Sequence, residues 1–204
     1  MKTAGSHGFY PVVDDVDWVR RFLPLGVRTI QLRIKGQPES AVRRQIREAL
    51  AVAADYDDCQ LIINDYWQES IREGATWLHL GQEDLAGADL AAIRAAGIRL
   101  GVSTHSPEEL ANALDAGPDY VALGPVYETT LKKMPWSPQG LERIGEWKAR
   151  FACPLVAIGG ITLERASAVL AAGADSIAVV SDVLRAPDPE DRVRAWLDLF
   201  RERA

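Results

Sequence analysis

The 204-residue sequence predicts a (β/α)8 barrel, one domain spanning residues 1–204, and three observations carry that reading. Short apolar segments alternate with amphipathic stretches at a spacing of roughly 25 residues, the rhythm of repeated βα units. Several of the amphipathic stretches stop at a glycine that leads directly into the next strand, so one unit is echoed around the chain. The first strand lacks the Gly-x-Gly-x-x-Gly turn of a dinucleotide fold, which counts against a doubly wound open sheet.

Taken in order, Phe9–Val13 is the first strand, and the helix Asp17–Leu25 follows it and stops at Gly26. Thr29–Ile34 leads into the helix Glu39–Ala54, and Gln60–Ile63 into Gln68–Glu73, stopped by Gly74. Trp77–Leu80 leads into Leu85–Ala95, stopped by Gly97, and Arg99–Val102 into Pro107–Ala116, stopped by Gly117. Tyr120–Leu123 is followed by the one break in the rhythm. Fifteen residues, Gly124 to Pro138, carry three prolines, two adjacent threonines and two adjacent lysines before the helix Gln139–Phe151. A long structureless connection after a barrel strand lies on the catalytic face, so a functional role is expected for it. Pro154–Ile158 leads into Leu163–Ala172, stopped by Gly173, and Ser176–Val180 into Glu190–Arg203.

Composition narrows the function. Hydrophobic residues make up 48% and charged residues 25%, the profile of a soluble globular protein. The formal charge of −6 argues against a nucleic-acid or anionic-membrane partner, which needs a broad basic face. No apolar run approaches the ~18–20 residues of a membrane span. No apolar segment precedes the first strand, so a signal peptide is not expected and a cytoplasmic location is. The two cysteines, Cys59 and Cys153, make no zinc signature and are expected as buried free thiols.

In this fold the polar residues at the C-terminal ends of the strands carry the chemistry. The second strand ends Gln31-Leu32-Arg33-Ile34-Lys35. Alternation puts Gln31, Arg33 and Lys35 on one face, which points into the barrel mouth if Leu32 and Ile34 pack outward. Two cations there need an anion, either a carboxylate of a neighbouring strand or an anionic substrate. Asn64 and Asp65 end the third strand, and Asp84 closes Gly81-Gln82-Glu83-Asp84 after the fourth. Asp65 and Asp84 are nineteen residues apart, about one repeat, and suit Mg²⁺; alternatively, Asp84 caps the helix that follows it. Gly159-Gly160 after the seventh strand and Val180-Ser181 after the eighth fall where this barrel recurrently binds phosphate. Ser103 and Lys132 add a hydroxyl and a cation to the same mouth. Of the histidines, His7 is expected in solvent, His79 as a satisfied interior residue, and His105 near Ser103. Trp136 in the long loop is the one tryptophan expected to touch substrate.

Six stretches, in order, resemble the thiamine phosphate synthase family: Gln31–Lys35, Ile63-Asn64-Asp65, His79–Asp84, Gly101-Val102-Ser103, Leu123–Tyr127 and Ile158–Ile161. The resemblance runs from Tyr10 to Ser181. It implies an enzyme that joins hydroxymethylpyrimidine diphosphate to hydroxyethylthiazole phosphate, releasing pyrophosphate. It implies that Gln31, Arg33, Lys35, Asn64, Ser103 and Lys132 hold the pyrimidine diphosphate. Asp65 and Asp84 would hold Mg²⁺ on its pyrophosphate. Thr129, Thr130, Gly160, Val180 and Ser181 would hold the thiazole phosphate. Arg33, Lys35 and Lys132 would act on the leaving pyrophosphate, which departs before the thiazole nitrogen attacks. One departure stands out: the family's Thr-x-Thr-Lys reads Thr129-Thr130-Leu131-Lys132, and leucine donates no hydrogen bond. Thr129, Thr130 and the backbone are expected to take over that bond. A thiazole tautomerase on the same barrel is disfavoured, because its catalytic histidine would fall at Pro125. A silent phosphate-binding relative has no reason to keep Arg33, Lys35, Asp65, Asp84 and Lys132 together.

Overall fold

Eight parallel strands close on themselves in chain order: β1 (Phe9–Val13), β2 (Thr29–Leu32), β3 (Gln60–Asn64), β4 (Trp77–Leu80), β5 (Arg99–Thr104), β6 (Tyr120–Leu123), β7 (Leu155–Ile158) and β8 (Ser176–Val179). Closure comes from β8 pairing with β1, Phe9 opposite Ile177 and Pro11 opposite Val179. The structure, a computed structural model, describes residues 8–129 and 137–201. His7, Thr130, Leu131, Lys132 and Trp136 therefore lie outside the described residues.

The helices are α1 (Val16–Phe22), α2 (Glu39–Ala53), α3 (Trp67–Glu73), α4 (Gln82–Ala86), α5 (Leu90–Ala95), α6 (Pro107–Asp115), α7 (Gly140–Lys148), α8 (Ala166–Ala171), α9 (Ser181–Leu184) and α10 (Pro189–Arg201). Local chemistry sets their starts. Ser106 caps α6 by accepting from Glu109 N at 3.3 Å, with Pro107 in the first turn. Asp188 takes the N–H groups of Glu190 and Asp191, each at 3.0 Å, and opens α10.

Two layers of side chains form the core. Inward positions of the strands, among them Tyr10, Val12, Ile62, Tyr120 and Val156, fill the barrel interior. Outward positions, among them Leu32, Ile63, Leu123 and Ala157, pack under the helices. Leu32 and Ile34 belong to that outer layer, as the alternation requires, so Gln31, Arg33 and Lys35 turn the other way.

The elements differ from expectation in a few places. Strand β2 stops at Leu32, although Arg33 N still donates to Val13 O at 2.7 Å. The expected helix Leu85–Ala95 is two helices, because Asp89 accepts from Ala92 N at 2.9 Å and starts α5 anew. Helix α4 begins earlier than expected, at Gln82. The eighth strand ends at Val179, and Ser181–Leu184, expected as loop, turns into α9. Cys59 and Cys153 are free thiols but half-buried, not enclosed. Among the described residues no helix is long and apolar enough to cross a membrane.

Candidate active site

The rim at the C-terminal ends of the strands gathers the polar residues. Lys35 follows β2 and pairs with the Asp65 carboxylate that follows β3. A neighbouring carboxylate is thus the lysine's partner here. Arg33 is exposed at the same mouth. Gln31, by contrast, lies inside the barrel, 4% exposed, with its amide hydrogen-bonded to the Tyr120 hydroxyl. Asn64 is buried at the end of β3.

Asp65 has φ of +68°, and among the described residues it is the one non-glycine with positive φ. Its N–H donates to His79 O at 2.9 Å and its carbonyl accepts from Trp67 N at 2.8 Å, which holds this left-handed conformation. Such a conformation costs on the order of 1–3 kcal/mol, and aspartate tolerates it better than most residues. The result is a carboxylate aimed at Asp84.

Asp84 lies within the first turn of α4. Gly81 occupies the cap position, so Asp84 is not a cap, and the capping alternative is removed. Burial raises the Asp84 pKa first, and the charge of Asp65 and a hydrogen bond with it raise it further, while Lys35 opposes. A cavity of about 400 Å³ opens beside them, lined by Lys35, Asp65, Tyr66, Trp67, Glu83 and Asp84. Two carboxylates this close could share a proton or hold a cation. As hard oxygen donors they could hold Mg²⁺, which takes one or two carboxylates and completes its shell with water and substrate phosphates. Among the described residues no group of three or more His, Cys, Asp or Glu side chains is placed to hold a metal.

Ser103 is half-buried near the end of β5, which runs on to Thr104. Its Oγ lies 2.7 Å from His79 Nε2, and His79 Nδ1 lies 2.8 Å from the Tyr120 hydroxyl. Burial holds the His79 pKa down at about 4, with Arg33 adding to the effect and Asp65 opposing it. His79 is the satisfied interior residue the sequence led us to expect. His105 is held by Glu109: its Nδ1 and its N–H both sit 2.7 Å from Glu109 Oε2, one turn along α6. Gln82 ties α4 to β5 by donating to Ser103 O at 2.7 Å.

On the far side of the rim, Gly159 and Gly160 have φ of +96° and +66°. A Cβ on Gly159 would sit 2.6 Å from Pro125, and one on Gly160 would overlap Tyr127 and the Glu128 carbonyl. The glycine pair therefore lets the loop after β6 lie on the loop after β7, with Val126 N bonded to Ile158 O at 2.9 Å. Arg165 fastens the pair, donating to Gly160 O at 2.7 Å with its guanidinium 4.5 Å from the Tyr127 ring. Thr129 lies at the end of this strip, half-buried.

Val180 is the residue before α9, and Ser181 is its first residue. Asp182 anchors that helix. It accepts from Arg192 at 2.8 and 2.9 Å and from Trp196 Nε1 at 2.7 Å, both on α10.

Sequence reasoning passed over Tyr66, Trp67 and Glu83 at the cavity, Tyr10 and Tyr120 in the interior, and Arg165 and Asp182 beneath the loops. The two tyrosines were readable in principle, since each occupies an inward position of an otherwise apolar strand.

A family model described as thiamine monophosphate synthase matches residues 9–183. The chain is 61% identical over 190 residues to a thiamine-phosphate synthase of Rhizobium etli, covering 93% of each. It is 50% identical over 205 residues to one of Pectobacterium atrosepticum, covering 98% of this chain and 95% of that one. Among solved structures it is similar to a thiamine phosphate pyrophosphorylase from Pyrococcus furiosus, with a TM-score of 0.85, 28% identity and 97% of each chain covered.

Proposed function

The chain belongs to the thiamine monophosphate synthase family, and from that premise we propose how its site performs the reaction. The enzyme is a transferase that condenses 4-amino-2-methyl-5-hydroxymethylpyrimidine diphosphate with hydroxyethylthiazole phosphate, giving thiamine phosphate and pyrophosphate. The observation that carries the site assignment is the meeting of Lys35, Asp65 and Asp84 at one cavity on the rim.

Asp65 and Asp84 hold Mg²⁺ in this reading. Magnesium, when bound, supplies positive charge against the pyrophosphate that departs. Arg33, Lys35 and Lys132 supply the remaining charge, Lys35 exchanging its pairing with Asp65 for the incoming diphosphate. Gln31, Asn64 and Ser103 line the pyrimidine side. Their work is orientation: the aminopyrimidine is electron-rich enough to carry the cation left behind, and the site holds it in line for capture by the thiazole nitrogen. Thr129, Thr130, Gly160, Val180 and Ser181 hold the thiazole phosphate, where backbone N–H groups and hydroxyls meet an anion. The thiazole nitrogen carries no proton to remove, so the step asks for no general base, and a His79 kept neutral by burial fits that demand.

The acidic chain and its localised cations suit small anionic substrates, with no nucleic acid or membrane as partner and the cytoplasm as its place of work. Incubating the protein with both substrates and Mg²⁺ tests the reading. Thiamine phosphate and pyrophosphate should appear in equal amounts, with neither formed when the metal is chelated. Product formation undiminished in excess chelator would remove Asp65 and Asp84 from a metal role.

A further inference from the structure

Arg165 carries a charge that the reaction as described does not use, and its guanidinium reaches back over the glycine pair. We propose that Arg165 and Tyr127 are positioning residues for the thiazole phosphate, together holding the Gly160 N–H toward the side of the rim where Ser181 stands. The proposal rests on the reading of Gly160 and Ser181 as part of the thiazole phosphate site.

The direction follows from peptide geometry. In a trans peptide the C=O of one residue and the N–H of the next point opposite ways. Among the described residues the one cis peptide is Gly124-Pro125, so the peptides on either side of Gly160 are trans. Gly159 O accepts from Tyr127 N at 3.0 Å, in the loop after β6. The Gly160 N–H belongs to the same peptide and therefore points away from that loop. Strand β7 lies between β6 and β8, so away from β6 is toward β8 and the Ser181 that follows it.

The next peptide is held by a side chain. Arg165 Nη1 donates to Gly160 O at 2.7 Å. The single turn Leu163–Arg165, closed by Arg165 N donating to Thr162 O at 3.0 Å, brings that side chain back to the glycine. The same guanidinium lies 4.5 Å from the centre of the Tyr127 ring. One planar group thus meets a carbonyl of the loop after β7 and a ring of the loop after β6, a double duty that suits arginine. Two adjacent glycines at φ of +96° and +66° have no Cβ to restrict them, so contacts must impose their conformation. Arg165 itself is exposed and Gly160 half-buried, so removing the guanidinium leaves no enclosed charge and lets water reach the carbonyl.

Amide NMR of the wild-type protein titrated with hydroxyethylthiazole phosphate is the first test. The Gly160 and Ser181 N–H signals should both move. A Ser181 signal that moves while that of Gly160 stays overturns the proposal without any variant. Neither signal moving refutes the thiazole reading of this part of the rim, and the proposal with it. Arg165→Ala should weaken thiazole phosphate binding about tenfold by calorimetry, equivalent to one lost hydrogen bond. Its KM for that substrate should rise alike, with the KM for the pyrimidine diphosphate unchanged. Tyr127→Leu keeps the bulk and loses the ring face, so it should weaken the same substrate. Adding it to Arg165→Ala should add little, because the ring acts by holding the guanidinium. Losses that multiply in the double variant would mark Arg165 as a charge acting on the phosphate by itself and overturn the proposal. Equal losses toward both substrates, the mark of a loosened barrel, would overturn it as well.

Discussion

Asp65 spends backbone energy to aim its charge. Asparagine tolerates the same left-handed conformation, so Asp65→Asn should fold and lose the charge alone. We expect its thermal midpoint in chelator to match or exceed that of the wild type, because the Asp65 charge that crowds Asp84 is gone. Its activity, and that of Asp84→Ala, should fall by at least the ~10–100-fold typical of groups one step removed from a metal. Mg²⁺ should raise the midpoint of the wild type and leave that of Asp65→Asn in place, as calorimetry would register. A second residue, Cys59, is predicted to be inert. Burial pushes its thiol to about 11, with Asp58 assisting and Arg28 opposing, and the thiolate is the reactive form. Alkylation of the native protein at pH 7 should be far slower than of the unfolded chain; equal rates would contradict the assignment. The Gln31–Arg33–Lys35 face was legible in the sequence because a strand alternates with period two. The fate of each member was not: burial sent Gln31 inward to Tyr120, and Lys35 found Asp65 across a strand boundary. Asp84 was legible as a rim carboxylate but not as a residue inside a helix, since a glycine at the cap position gives a weak start signal.

At the scale of elements, the strands were legible and the short helices were not. Apolar strands of four to six residues announce themselves by run and spacing. The four-residue α9 has no periodicity to read, and its stability comes from α10 through Asp182. Asp182→Ala would leave the Arg192 guanidinium without its best partner and cost about 3 kcal/mol in urea unfolding. Because Ser181 begins that helix, the same variant should raise the KM for the thiazole phosphate and spare that for the pyrimidine diphosphate. The loop from Gly124 to Pro138 offers a paired prediction. A hydroxyl bonded to a charged phosphate oxygen contributes roughly 1.5–3 kcal/mol, about tenfold to hundredfold in affinity. If Thr130 has taken over from the family's second threonine, Leu131→Thr should leave thiazole phosphate affinity unchanged and Thr130→Val should weaken it. Tightening by the first and no effect of the second would reverse the assignment.

For the whole molecule, the repeat made the barrel legible before any site was considered. The glycine stops after the helices recur because each unit must turn back toward the same end of the barrel. What no local pattern could announce is the closure. Strand β1 pairs with β8 across almost the entire chain, Phe9 stacks on Trp196 at 5.0 Å, and Gly8 lies under the Phe200 ring. The two described ends therefore meet on one side of a ring that has no first member. Their order along the chain is a convention of where the ring was cut. A permuted chain, with residue 201 linked to residue 8 and new ends at exposed Asp57 between α2 and β3, should fold into the same barrel and retain the reaction. A cut between Pro125 and Glu128, where the loops interlock over Gly159 and Gly160, should leave a barrel that no longer binds the thiazole phosphate.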